Sequence, residues 1–377
     1  MPESFAHKPE FIKRKIRAFG ATHENLLPSE QFWKGKESLL LHNGYQLRPR
    51  YREGWKPSWT LKENLDMEPQ GFEDFHRRKT PATLMDATEV ASGRTVCIKL
   101  VRSDRQEHNI LALFKKHAED SRNHCVPLLE TFGDPDNPDD IYMVMPYLRP
   151  IDKPPFETLG DVIDFVSQML EGLTFMHSHN VAHRDCEVTN VMMDASALYP
   201  RGHHPVELDF DHTAQHPAEV HPRSSARVRY YYIDFGLSTY VEAPVHLSKY
   251  VLGVFGREQT VPELSLQRPY DAFKVDLYIL GCLFQKVIYT KYKHTEWLCP
   301  LIEMMTKTEP EDRPTAQEIE DYWTQNLASY SLNPSTVLTE RNPNPNWWEL
   351  ESVQETVVNR TIAVGRKLFG WFTELQG

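Results

Sequence analysis

His183-Arg-Asp-Cys-Glu-Val-Thr-Asn190 sets a carboxylate, Asp185, and an amide, Asn190, five residues apart. The stretch before it, Asp161 to His177, carries Val162, Phe165, Val166, Met169, Leu170 and Leu173 on one helical face, which predicts an amphipathic helix leading into a loop. An aspartate in such a loop can accept a proton from a hydroxyl, and the amide oxygen can ligate Mg2+. Further on, Tyr230-Tyr-Tyr-Ile-Asp234-Phe-Gly236 is a strand-like run that ends in a carboxylate beside a flexible glycine, a second place to hold a metal. Either motif alone is common in ordinary turns, whereas the two in this order are informative.

Working outward, residues 81–148 read as short β-like runs around one helix. Ala82 to Val90, the turn Ser92-Gly93 and Thr95 to Val101 predict a hairpin; a helix follows from Asp104 to Lys116, and Val126 to Phe132 and Ile141 to Met145 predict two more strands. Residues 149–328 read as mainly helical, interrupted at 197–229 by a His- and Pro-rich stretch without periodicity, the mark of a surface insertion. Residues 1–80 read as an N-terminal extension with no assignable periodicity. Residues 329–377 read as a linker and an amphipathic helix carrying Val358, Ile362, Leu368, Phe369 and Phe372. The expected class is α+β and bilobal: a small antiparallel sheet with one helix, then a larger, mainly helical lobe.

Composition narrows the setting. Hydrophobic residues at 40% and charged residues at 25% are ordinary for a globular chain with a sizeable core. A net charge of −11 repels phosphate backbones and anionic lipid, which argues against a nucleic-acid partner. With no apolar leader and no long apolar run, a membrane is not an expected partner, and a cytoplasmic or nucleocytoplasmic location is expected. Cys97, Cys125, Cys186, Cys282 and Cys299 are odd in number, show no C-x-x-C pairing, and read as reduced thiols.

Taken together, the motifs resemble the eukaryotic protein-kinase family from about Thr95 to Tyr322. The likeness is to an atypical member lacking the glycine-rich loop, with fungal-type kinases as one candidate group. The resemblance implies ATP and Mg2+ as cofactors and a protein as substrate. It implies Asp185 as catalytic base, Asn190 and Asp234 as metal ligands, and Val96-Cys-Ile-Lys99 as the strand whose lysine meets the α- and β-phosphates. Glu107 would be the partner of Lys99, and Arg184 a receiver of an activation-segment phosphate, with Ser238, Thr239, Tyr240, Ser248, Tyr250 and Thr260 as candidate acceptors. Met145, Pro146 and Leu148 fall where the adenine-contacting linker belongs. His183, Phe235, Gly236, Asp276 and a Glu263 to Arg313 ion pair would give structural support.

Four departures qualify the likeness. Thr80 to Val90, where the phosphate-covering loop is expected, contains no glycine; Glu187 stands two residues after Asp185, where many Ser/Thr kinases carry a lysine; Glu107 follows Lys99 by only eight positions (107 − 99); and Asn190 and Asp234 are 44 positions apart (234 − 190). His203, His204, His212, His216 and His221 in the insertion read as part of a partner-binding loop in preference to a metal site. The expected function is ATP-dependent phosphorylation of a protein Ser or Thr hydroxyl. A pseudokinase acting as a binding module and a small-molecule phosphotransferase remain as alternatives, and oligomeric state and physiological substrate stay open.

Overall fold

Alternation along Thr95–Arg102 divides the small lobe into two faces, since successive strand residues point to opposite sides. Val96 and Ile98 turn to one face, and Cys97, Lys99 and Val101 to the other. The structure, a computed structural model, describes residue 8 and residues 10–78, 81–241, 249–330 and 332–341. The helix expected around Val358 to Phe372, and Ser248, lie outside the described residues.

Three helices, α1 (Glu10–Ala21), α2 (Pro28–Gly35) and α3 (Glu37–His42), precede a two-residue strand β1 (Tyr45–Gln46). Then come β2 (Leu84–Glu89), β3 (Thr95–Arg102), α4 (Glu107–Lys115), β4 (Glu130–Asp134) and β5 (Asn137–Pro146). The five strands form one antiparallel sheet in the order β1-β2-β3-β5-β4. Its outer face is covered by the N-terminal segment: Trp33, Leu40, Tyr45, Leu47 and Tyr51 pack on Met85, Ala87, Val96, Ile98, Tyr142 and Val144. Residues 10–51, read from the sequence as part of an extension, therefore supply an edge strand and half of a hydrophobic core. The connection from β1 to β2 runs over residues 47–83. The segment where a covering loop was expected, Thr80 to Val90, is mostly strand β2 itself.

After the short β6 (Arg149–Pro150), the large lobe opens with α5 (Leu159–Ser178), whose N-cap Thr158 accepts from the Asp161 N–H while Asp161 accepts from the Thr158 N–H. The expected apolar face is buried: Val162, Phe165, Val166, Met169 and Leu173 are all fully covered. β7 (Val181–Ala182), β8 (Val191–Asp194), β9 (Arg229–Tyr232) and β10 (Thr239–Tyr240) frame the loops that follow. β11 (Tyr250–Gly253) pairs with β12 (Ser265–Asp271), and α6 (Ala272–Phe284) starts from an Asp271 cap and is buried nearly all round. Two further helices, α7 (Cys299–Met305) and α8 (Ala316–Leu327), close the lobe, with Trp323 Nε1 donating to Ser167 Oγ on α5 at 2.8 Å. The two lobes meet at the strand-to-helix link around Met145 to Leu148. Among the described residues no helix is long and apolar enough to cross a membrane.

Candidate active site

The loop after β7 is held from below by α6. Asp276, fully buried, accepts from the backbone N–H of His183 at 2.7 Å and of Arg184 at 2.5 Å, and meets His177 Nε2 at 2.9 Å. These bonds fix Arg184 in a left-handed conformation (φ 67°), which disfavours a non-glycine residue by about 1–2 kcal/mol. His183 is buried and its pKa is pulled down by burial. Its Nδ1 accepts from the Asp185 N–H at 3.3 Å and its Nε2 donates to the Ile233 carbonyl at 3.0 Å, which ties this loop to the one carrying Asp234.

Asp185 and Asn190 meet directly: Asn190 Nδ2 donates to Asp185 Oδ2 and to the Asp185 carbonyl, both at 2.8 Å. With its nitrogen so used, the oxygen is the end of that amide suited to a cation. Asp185 Oδ1 accepts from the Arg257 N–H at 2.9 Å. Burial and the nearby Glu187 push the Asp185 carboxyl up to about 6, against the opposing effect of the Arg257 and Asn190 donors. Gly256 permits this approach, since its φ is +118° and an added Cβ would stand 3.3 Å from Asp185 Oδ1.

On the other side of the cleft, Lys99 Nζ reaches Glu107 Oε1 at 2.6 Å and Asp234 Oδ1 at 2.8 Å. The short connection between Lys99 and Glu107 therefore still brings α4 into range. Burial pulls the Lys99 ammonium down, but the two carboxylates outweigh it and hold its pKa above the usual range. Burial pushes both acids up; Lys99 overcomes this at Asp234, which sits low, while the more deeply buried Glu107 sits high. Asp234 has φ 61° and accepts from the Gly236 N–H at 3.3 Å. A side chain at position 236 would crowd Asp234 Oδ1 at 3.1 Å, so a substitution there must displace that carboxylate by a few tenths of an ångström. Phe235 is buried between Phe114 and His183, with ring centroids 5.6 and 4.8 Å away.

Four further features named from the sequence have defined places in the structure. Arg313 Nη1 and Nη2 bind Glu263 Oε1 and Oε2 at 2.5 and 2.9 Å. Arg184 donates to the Leu237 and Leu252 carbonyls, to Thr239 Oγ1 at 3.2 Å and to Tyr270 Oη at 3.2 Å, so its guanidinium is engaged by the unmodified segment. Glu187 faces Arg257 Nε at 3.7 Å, a cation that offsets its charge beside Asp185. Met145 and Pro146 end β5, opposite Cys97 and Val96, and Leu148 is buried just beyond.

Sequence reasoning passed over Arg48, Arg78, Asp86 and Arg257. Asp86 carried a signal, an acid between the apolar Met85 and Ala87 in β2. It lies opposite Cys97 in the β2 and β3 ladder, hence on the same face as Lys99, and is 1% exposed. Arg48 Nε and Arg78 Nη1 bind it at 2.7 and 3.2 Å, and Arg78 Nη2 lies 3.8 Å from Cys97 Sγ. One end of the cleft thus presents Lys99, Asp185, Asn190 and Asp234, a donor set that suits Mg2+ and phosphate. The end nearest the linker is lined by an ion-pair network.

Comparison with known proteins agrees with this geometry. A family model described as the protein kinase domain matches residues 80–296, more than half of the chain. Similar proteins include cyclin-dependent kinase D-1 of Arabidopsis thaliana, 24% identical over 55% of this chain and 46% of that protein. The cell cycle serine/threonine-protein kinase CDC5/MSD2 of Saccharomyces cerevisiae is 23% identical over 72% of this chain and 38% of that protein. Cell division control protein 2 homolog 3 of Trypanosoma brucei brucei is 24% identical over 53% of this chain and 56% of that protein. The chain therefore spans roughly two fifths to just over half the length of these relatives. With Lys99, Asp185, Asn190 and Asp234 gathered in one cleft between two lobes, and the family model lying over that cleft, the chain belongs to the protein kinase family.

Proposed function

We propose that this chain is an ATP-dependent protein kinase acting on Ser or Thr hydroxyls. The observation that carries the reading is the pair of contacts made by one lysine, Lys99 to Glu107 and Lys99 to Asp234, across from an Asp185 already oriented by Asn190. Mg-ATP, when bound, supplies the phosphoryl group and the metal charge that balances it. Lys99 holds the phosphates, and Asn190 and Asp234 present oxygens to the metal. Asp185, ionised near neutral pH, orients the acceptor hydroxyl and takes its proton. The Ser/Thr assignment is supported by the similarity to the yeast cell cycle serine/threonine-protein kinase.

The test is phosphotransfer from labelled ATP to the chain itself and to generic protein acceptors, beside Asp185→Asn and Asp234→Ala. Loss of signal by two or more orders of magnitude in both variants is the expected result, and equal signal from all three would end the proposal. A second reading, a binding module without turnover, is favoured by the charged roof at the linker end. A thermal-shift titration with Mg-ATP that stabilises the chain while phosphotransfer is absent would select it. The Glu263 to Arg313 pair and the loop ending at Glu263 favour protein over small-molecule acceptors.

A further inference from the structure

The charged groups that the phosphoryl chemistry does not use converge on the roof of the cleft, at its linker end. Asp86 faces the cleft and is almost wholly covered, and a buried carboxylate persists only with partners. Both partners come from the long connection between β1 and β2. Arg48 also holds Glu73 at 3.1 Å and the His76 carbonyl at 2.9 Å. Arg78 reaches inward past Asp86 to Cys97, and its guanidinium carbon lies 5.9 Å from the ring of Tyr147, in the linker. Cys97 is two residues before Lys99 on the same face, so a base joined to phosphates at Lys99 must slide between Cys97 and the linker. Arg78 stands in that gap.

The same segment is fastened to the large lobe across the linker. His76 Nδ1 meets Glu207 Oε1 at 3.2 Å, Glu73 Oε1 lies 3.5 Å from the buried His204 Nε2, and Gln215 Nε2 donates to the Gly71 carbonyl at 3.3 Å, while Tyr147 of the linker itself donates through its hydroxyl to the Pro205 carbonyl. Glu207 and Gln215 belong to the insertion at 197–229. The two segments without an assignable sequence pattern therefore close on each other at the mouth of the cleft.

We propose that Arg78 is a gate on this cleft, seated where a purine base must enter, so that nucleotide binds only as residues 76–78 swing outward. The proposal rests on the reading of the cleft as a nucleotide site. Magnitudes favour a movable gate over a permanent plug. Residues 73–75 are anchored, with Asp74 and Phe75 buried and Glu73 held by Arg48 and His204, whereas the contacts of His76 with Glu207 and of Arg77 with the Thr22 and Asn25 carbonyls are partly exposed, and ties of that kind are weak. When Arg78 leaves, Arg48 stays on Asp86 at 2.7 Å, so no buried charge is stranded. The apparent affinity is then the affinity of the open form scaled by its population.

The experiment uses the full chain, a fluorescent ATP analogue with Mg2+, and three proteins: wild type, Arg78→Ala and Glu207→Ala. Arg78→Ala is expected to tighten binding about tenfold or more, and Glu207→Ala by roughly two- to fivefold. In the wild type, saturating Mg-ATP should speed amide hydrogen exchange at residues 76–78. Should Arg78→Ala fail to fold, Glu207→Ala and the wild-type exchange carry the test. Equal or weaker binding by a folded Arg78→Ala, or protection of 76–78 by nucleotide, overturns the gate and leaves the kinase reading standing. No binding by any of the three overturns both.

Discussion

Arg313 makes five hydrogen bonds while 1% exposed: two to Glu263 and one each to the carbonyls of Lys274, Lys307 and Thr308. Truncating it leaves Glu263 without its partner in a mostly covered site, and Arg313→Ala should destabilise the chain by about 3–5 kcal/mol in a denaturant titration. A second residue-scale expectation follows from Asp185. Its pKa is raised above the ordinary carboxylate range, to about 6, and the ionised form is the one that accepts a proton. Phosphotransfer should hold from mildly alkaline pH down to about 7 and fall as pH drops through about 6. A rate profile flat to pH 5 would contradict the assignment.

At the scale of elements, the strand-loop-helix framework of the large lobe was legible in the sequence because its signals are local. The face of α5 repeats at helical spacing, and the loop motifs stand where α5 and β9 end. α4 was legible too, though it starts at Glu107 and not at Asp104, since no side chain caps residues 104–106 into the helix. The roof was not legible, for a physical reason. β1 is two residues long, too short to show alternation, and 37 positions (83 − 46) separate it from β2, so the strand order can be read only after long-range pairing is known. The loop ending at Glu263 offers a test of a different kind. Gly256→Ala places a Cβ against Asp185 Oδ1 at a φ that L-residues rarely adopt. The expected result is a phosphotransfer rate lower by about tenfold or more, with stability changed by only about 1–2 kcal/mol in a thermal melt.

Over the whole molecule, two hydrophobic clusters share one sheet: the large one begins at Val101 and α4 and runs through the helical lobe, and the small one lies under α2 and α3. An appended segment would be dispensable to the rest. Here, removal of residues 1–44 strips Trp33 and Leu40 from the sheet, each a core loss of several kcal/mol. The truncated chain should lose its cooperative melt by circular dichroism, and an unchanged melt would refute the shared core.

The doubly covered sheet also constrains Lys99. Ile98 and Lys99 are neighbours in β3, one locked into the N-terminal core and the other reaching Glu107 and Asp234. A shift of β3 by a single residue would exchange their faces, driving an ammonium into packed Trp33 and Tyr142 and an isoleucine into the cleft. Residues that never approach the cleft thus act as its alignment pins, and the position of the charge at Lys99 is set from behind the sheet as firmly as from within the site.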